Sequence, residues 1–294
     1  MRKPAAEEAK LRRGDAKWLA GVAFFGALIG PAALAWGLQR ASGAGASLML
    51  TMEALFTATL ARVLYGETMD RRVWMAMFAL LGGGVLLVFD QARVGAAGAL
   101  GLLAVLAATA SWGADNALSR ALADRDPGQV VMTKAALGSS CALALGFAFD
   151  EAAPTPGAAV ALALIGAAGY GLSLRSYLLA QRAFGAARTG SVFACAPFIG
   201  AVAAVALGDR SGSVLMVAAG ALMAVGVWAH LSESHEHQHQ HDPMEHEHAH
   251  THEDGHHTHT HDPMPTGAHS HSHRHEAIRH AHPHAPDLHH QHRH

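Results

Sequence analysis

From residue 18 to residue 230 the chain alternates long apolar runs with short polar breaks, and each run is close to 20 residues long. At 1.5 Å per helical residue, such a run crosses the hydrocarbon core of a bilayer, about 30 Å thick. The pattern predicts eight spans, at 18–39, 45–65, 73–90, 96–114, 129–149, 157–179, 186–207 and 213–231. The runs are apolar all round, without an amphipathic stripe. A soluble domain buries one or two such helices, not eight in 213 residues, so the chain reads as an all-α, polytopic integral membrane protein. The first run lacks a short cleavable segment and is read as a retained span.

The apolar pattern is written twice. Leu38-Gln39-Arg40-Ala41-Ser42-Gly43-Ala44 returns 142 positions later as Ala180-Gln181-Arg182-Ala183-Phe184-Gly185-Ala186. The register holds onward: Ala54 and Phe56 fall on Ala196 and Phe198, Gly66-Glu67 on Gly208-Asp209, and Gly84-Val85 on Gly226-Val227. Spans 1, 2 and 3 therefore map onto spans 6, 7 and 8. Five crossings separate each pair, so the two copies run in opposite directions through the membrane, as in many secondary carriers. The helical bundle is thus expected to be an inverted repeat of three plus five spans. Two further spans ahead of the first would complete a five-plus-five fold of ten. A start codon set too far downstream is the favoured account; loss of two helices and supply by a partner are the alternatives.

Composition separates two unlike parts. Half the chain is apolar (51%), charge is scarce, and the formal net charge is −2, yet all 24 histidines lie at or after His230. The domains read as a basic N-terminus (1–17), a first, partial repeat (18–90), a second repeat (96–231) and a histidine-rich tail (232–294). With the N-terminus inside, the inner segments hold twelve basic residues and the outer loops only Arg40, Arg93 and Arg210. That bias places both termini in the cytoplasm of a bacterial inner membrane. Cys141 and Cys195 lie in apolar runs and make no disulfide framework. No basic domain suggests nucleic acid, and no nucleophile–base pair, phosphate loop or cofactor fingerprint suggests an enzyme.

Ionisable groups inside spans are costly and mark pathways by default. Glu53 sits near the middle of span 2, where it serves as a protonatable or solute-contacting group, makes a structural hydrogen bond to another helix, or pairs with an Arg. Asp115 and Asn116 end span 4, one turn beyond Trp112, and Lys134 lies near the cytoplasmic end of span 5. An Asp115–Lys134 ion pair, a snorkelling Lys134 and a gate for a charged solute are all open. Arg175, close to Tyr170 and the glycines Gly169 and Gly171, offers a planar fork to an anion or snorkels to the cytoplasmic face. Pro197 should free a carbonyl and kink span 7. Gly82-Gly83-Gly84, Gly166-x-x-Gly169 and Gly200 read as points of close helix approach.

Three stretches resemble the EamA-type carriers of the drug/metabolite transporter superfamily: Glu53-Ala54-Leu55-Phe56 with Tyr65-Gly66-Glu67, Ser111 to Asn116, and Arg188-Thr189-Gly190-Ser191 through Ala196-Pro197-Phe198 to Gly208-Asp209. The resemblance covers roughly residues 20–230. It implies a ten-span fold with cytoplasmic termini and the export or import of small metabolites, amino acids or drugs, coupled to a proton or to exchange.

The tail reads as a disordered, metal-binding segment, since it has too few aliphatic residues to fold alone. Its candidate ligands are His235, His237, His239, His241, His246, His248, His250, His252, His256, His257, His259, His261, His269, His271, His273 and His275. Alternating imidazoles on a flexible chain suit Zn²⁺, Ni²⁺, Co²⁺ or Cu²⁺, with affinity collapsing below about pH 6. The leading reading is a metabolite carrier, most simply an exporter, with this tail as sensor or buffer. A divalent-metal carrier and a membrane-tethered metal store are the alternatives. Expected partners are the lipid bilayer, a small solute and divalent ions at the tail, with a homodimer as the assembly left open.

Overall fold

The computed structural model describes residues 10–66, 69, 71–122, 125–174, 176, 180, 193–231, 236–240, 244–250, 269–275 and 279–283. The membrane part is a polytopic bundle of helices among the described residues. Six are long and apolar enough to cross a bilayer: Arg13–Leu38, Gly43–Tyr65, Arg71–Val94, Ala96–Leu122, Pro127–Ala148 and Val214–Leu231. Two shorter apolar helices, Pro156–Leu172 and Ala196–Ala206, stand where the sequence predicts spans 6 and 7.

Span 1 runs as α1 (Ala16–Val22), a π-helical segment (Ala23–Ile29) and α2 (Gly30–Leu38). The π segment closes on a bond from Gly30 N–H to the Phe25 carbonyl, five residues back. Such bulges shift the helix face by one residue and occur often at functional sites. Span 2 is split at Leu50–Thr51 into α3 (Gly43–Met49) and α4 (Met52–Tyr65). Spans 3, 4 and 5 are α5 (Arg71–Val94), α6 (Ala96–Ser119) and α7 (Pro127–Ala148). Span 6 begins as α8 (Pro156–Ile165) and passes into a second π segment, Gly166–Leu172. Spans 7 and 8 are α9 (Ala196–Ala206) and α10 (Val214–Leu231).

The core sits where α3, α4, α5, α6 and α10 meet, around Met49, Met52, Leu80, Leu87, Leu102, Val105 and Met223. α5 and α10 pack antiparallel. A Cβ on Gly83 would stand 2.5 Å from Met223 Cγ, and one on Gly226 would stand 3.0 Å from the Ala76 carbonyl oxygen. At one end Ser213 donates to Asp90 at 2.7 Å. α3 and α9 are also antiparallel: Ser47 donates to the Pro197 carbonyl at 2.8 Å, and Ala44 N–H donates to Asp209 just past the far end of α9. Large apolar side chains such as Phe89, Ile165, Val202 and Trp228 point outward, as a lipid-facing surface requires.

Two helix ends take the left-handed backbone that glycine tolerates: Gly66 closes α4 at φ 69° and Gly208 follows α9 at φ 109°. After α9, Gly208 N–H bonds to the Val205 carbonyl and Asp209 N–H to the Ala204 carbonyl, a Schellman close.

The structure corrects four expectations. Span 4 does not end at Asp115–Asn116, because α6 continues to Ser119 and carries both residues inside the helix. Pro197 does not kink a helix interior; it occupies the first turn of α9, where its missing N–H costs no intrahelical bond. Gly166 and Gly169 lie in the π segment, and a Cβ added at either would meet nothing within 4 Å, so they mediate no helix contact among the described residues. The tail, expected to lack regular structure, pairs as short antiparallel strands. Glu236–Gln240 pairs with Arg279–Pro283, and Met244–His250 with His269–His275.

Candidate functional site

Glycines let α4, α6, α7 and span 1 converge. On α6, a Cβ at Gly113 would come within 2.6 Å of Phe56 Cβ and 3.0 Å of Thr57 N, so only glycine lets α4 approach this closely. That approach brings Asn116, one turn further along α6, against Glu53 and Thr57 on α4. Asn116 Nδ2 donates to Glu53 Oε1 at 2.8 Å and reaches Thr57 Oγ1 at 3.4 Å. On α7, Gly138 lies against the backbone of Ala27, 3.0 Å from a Cβ to its carbonyl oxygen, which places Lys134 beside the π segment. Gly26 then leaves the volume into which Asp115 and Lys134 meet; an added methyl there would collide with both side chains.

Lys134 Nζ donates to Asp115 Oδ2, and both side chains are buried, at 8% and 9% exposure. The two side chains thus form the ion pair, and Lys134 does not snorkel. Isolated, either charge would cost several kcal/mol in this setting; paired, the two offset most of that. Asp115 Oδ1, on the same carboxylate, has no hydrogen-bond partner among the described residues.

The Gly26 carbonyl collects two further groups. Trp112 Nε1 donates to it at 3.2 Å, its indole lying over Gly30, and the Tyr170 hydroxyl donates to it at 3.1 Å. Tyr170 comes from the second π segment, so a hydrogen bond joins the two π-helical stretches. No residue of α8 is buried, which leaves Tyr170 as a principal tether of this helix to the bundle among the described residues. Tyr170 also stands within the electrostatic field of Lys134, Asp115 and Glu53.

Of the residues singled out in the sequence, five come together here: Glu53, Asp115, Asn116, Lys134 and Tyr170. Pro197 stands apart, joined to α3 through Ser47. Arg175 lies outside the described residues, and the tail histidines have no described side chains. Sequence reasoning missed Gly26, Thr57 and Gly113. Gly113 had a signal in the Trp112-Gly113 pair preceding Asp115, whereas Gly26 looked like any small residue in an apolar run.

Outside the spans, Asp209 links the loop after α9 to the first turn of α3. Hydrogen bonds from Ser211 hold its carboxyl below the ordinary carboxylate value, and the Ala44 backbone N–H adds to this. Asp15 and Arg125 pair at 2.7 Å at the opposite face and tie the N-terminal segment to the loop before α7.

A polar cluster thus lies among apolar helices, beside a pair of π segments and a split helix. Residues 4–89 and 99–231 match the EamA-like transporter family. An uncharacterized transporter of Methanothermobacter thermautotrophicus is 25% identical over 226 residues, covering 75% of this chain and 66% of that relative. This chain thus spans just under two thirds of that relative's length. No solved structure matches the chain. The chain belongs to the EamA-like transporter family.

Proposed function

We propose that this protein is a secondary transporter, most simply an exporter, that moves a small metabolite, amino acid or drug between two inverted halves. The observation that carries the reading is the cluster of Glu53, Asn116, Asp115, Lys134 and Tyr170 within helices that are otherwise apolar. Three paired features support the inverted repeat. The π segments fall at 23–29 and 166–172, the helix breaks at 50–51 and 194–195, and the left-handed glycines at 66 and 208. Each pair is separated by nearly the same 142 residues as the sequence repeat. The antiparallel packing of α3 on α9 and of α5 on α10 is what an in-plane two-fold axis demands.

Glu53 is the group placed to take up a proton or contact the solute, since it is half-buried and its side-chain partner among the described residues is the Asn116 amide. Both termini are assigned to the cytoplasm of a bacterial inner membrane by the excess of inner basic residues. The tail binds Zn²⁺, Ni²⁺, Co²⁺ or Cu²⁺ through its histidines and reports or buffers metal. Flux of a panel of amino acids, amines and organic acids into proteoliposomes tests the reading. Glu53→Gln is expected to abolish coupled flux of the transported solute; unchanged flux of every solute would remove Glu53 from the mechanism. Deleting residues 232–294 is expected to leave this flux intact while removing metal binding. Loss of metal resistance with intact metabolite flux would favour the metal carrier or metal store.

A further inference from the structure

We propose that the cargo is a small cation bearing N–H donors, of the primary-ammonium class, seated between Glu53 and the unpartnered oxygen of Asp115. The inference rests on the transporter reading and deepens it. Three charged groups meet in the cluster: two carboxylates and one ammonium. Lys134 is committed to Asp115 Oδ2, and the methyl-free Gly26 shapes the space around that pair. The one buried side-chain atom left without any partner among the described residues is an acceptor.

Asp115 Oδ1 is buried without a hydrogen-bond partner among the described residues, on a side chain more than nine-tenths buried. The Ser119 hydroxyl, one turn along α6, approaches this carboxylate, yet Oδ1 receives no hydrogen bond of proper geometry. Glu53 has one oxygen engaged by the Asn116 amide. A buried acceptor without a donor costs the desolvation of that atom, and a ligand that brings a matching donor recovers this cost on binding. The donors of Trp112 and Tyr170 are spent elsewhere, since both go to the Gly26 carbonyl.

The cluster therefore offers acceptors, with two carboxyl groups set against one ammonium. A primary ammonium supplies three donors and a positive charge, which answers both. A carboxylate supplies neither and meets Glu53 as a like charge. The exposure of the groups falls inward: Asn116 is exposed, Glu53 half-buried and Asp115 buried. A cation can shed water in steps along that gradient, with a polar or acidic group beside it at each stage.

Titration calorimetry on the full-length protein in detergent tests this with four probes of similar size: butylammonium, butyrate, butanol and 4-aminobutyrate. Butylammonium is expected to bind at least tenfold more tightly than the other three. Glu53→Gln, which keeps an acceptor for Asn116, should weaken that binding by tenfold or more, while Arg210→Gln at the loop after α9 should leave it unchanged. Preference for butyrate or butanol overturns the proposal, as does an affinity that Glu53→Gln does not alter, or binding of none of the four. Preference for 4-aminobutyrate also overturns it, because it means that the Asp115–Lys134 pair opens to a zwitterion. Proteoliposome exchange separates this from the parent reading. Vesicles that exchange another solute but reject butylammonium discard the amine class alone; vesicles that exchange nothing from the panel discard transport.

Discussion

The α5–α10 contact and the Glu53–Lys134 cluster both depend on glycine, for opposite ends. At Gly83 and Gly226 the missing side chain lets one helix rest against the other, with Met223 and the Ala76 and Ala219 carbonyls filling the contact. At Gly26 the missing side chain makes room for an ion pair instead of a helix. In a membrane, where lipid is as apolar as leucine, helices associate through close packing and polar contacts. The first region uses packing and holds α5 to α10. The second spends stability on buried charge, a cost that by default points to function.

The sharpest way to break the comparison is to remove one charge. Lys134→Met leaves Asp115 buried and alone, and should cost about 3–5 kcal/mol by thermal unfolding in detergent. The double variant Asp115→Asn with Lys134→Met should regain most of that loss. If the single variant is no worse than the double, the pair contributes no coupling. Next in size is Gly83→Ala, whose methyl must displace Met223, 2.5 Å from Cγ, and press on the Ala219 carbonyl oxygen at 3.0 Å. A loss of about 1–3 kcal/mol is expected, against no change beyond about 0.5 kcal/mol for Gly146→Ala, which has open space around it.

Tyr170→Phe removes a single interhelical hydrogen bond and should cost about 0.6 kcal/mol, the usual value inside a membrane. Its larger effect is expected on exchange rate, because it frees α8 from the Gly26 carbonyl. An unchanged rate would make Tyr170 a packing residue only. The smallest effect on stability at neutral pH and moderate salt belongs to Asp209→Ala, at most about 0.5 kcal/mol after solvent screening. The folded carboxyl titrates below its ordinary value of 3.8, so it stabilises at neutral pH. That contribution falls away as pH drops through the lower folded value, where wild type and variant should converge. Unfolding midpoints measured from pH 7 downward would follow it.

The eight apolar runs, their lengths and the duplication at 142 residues were legible in the chain because hydropathy and repetition are one-dimensional properties. Glu53, Asp115, Asn116, Lys134 and Tyr170 stood out for the same reason: a polar residue in an apolar run needs no coordinates to be noticed. The pairing of those groups was another matter. That Asn116 reaches Glu53 while Lys134 reaches Asp115 follows from how far α4 and α7 slide toward α6 and span 1, and Gly113, Gly138 and Gly26 set that distance. A run of alanines and glycines does not announce which small residue faces a neighbour.

The boundaries failed where backbone geometry overrode hydropathy. α6 runs on through Asp115, where Lys134 pairs with that carboxylate and the Tyr65 hydroxyl donates to the Ala117 carbonyl at 2.6 Å. Pro197 begins a helix because the chain breaks just before it. Sequence alone determined that this chain crosses a membrane several times. Tertiary packing decided where charge could be buried, since burial is tolerated only where another helix delivers the opposite charge to the same few ångströms.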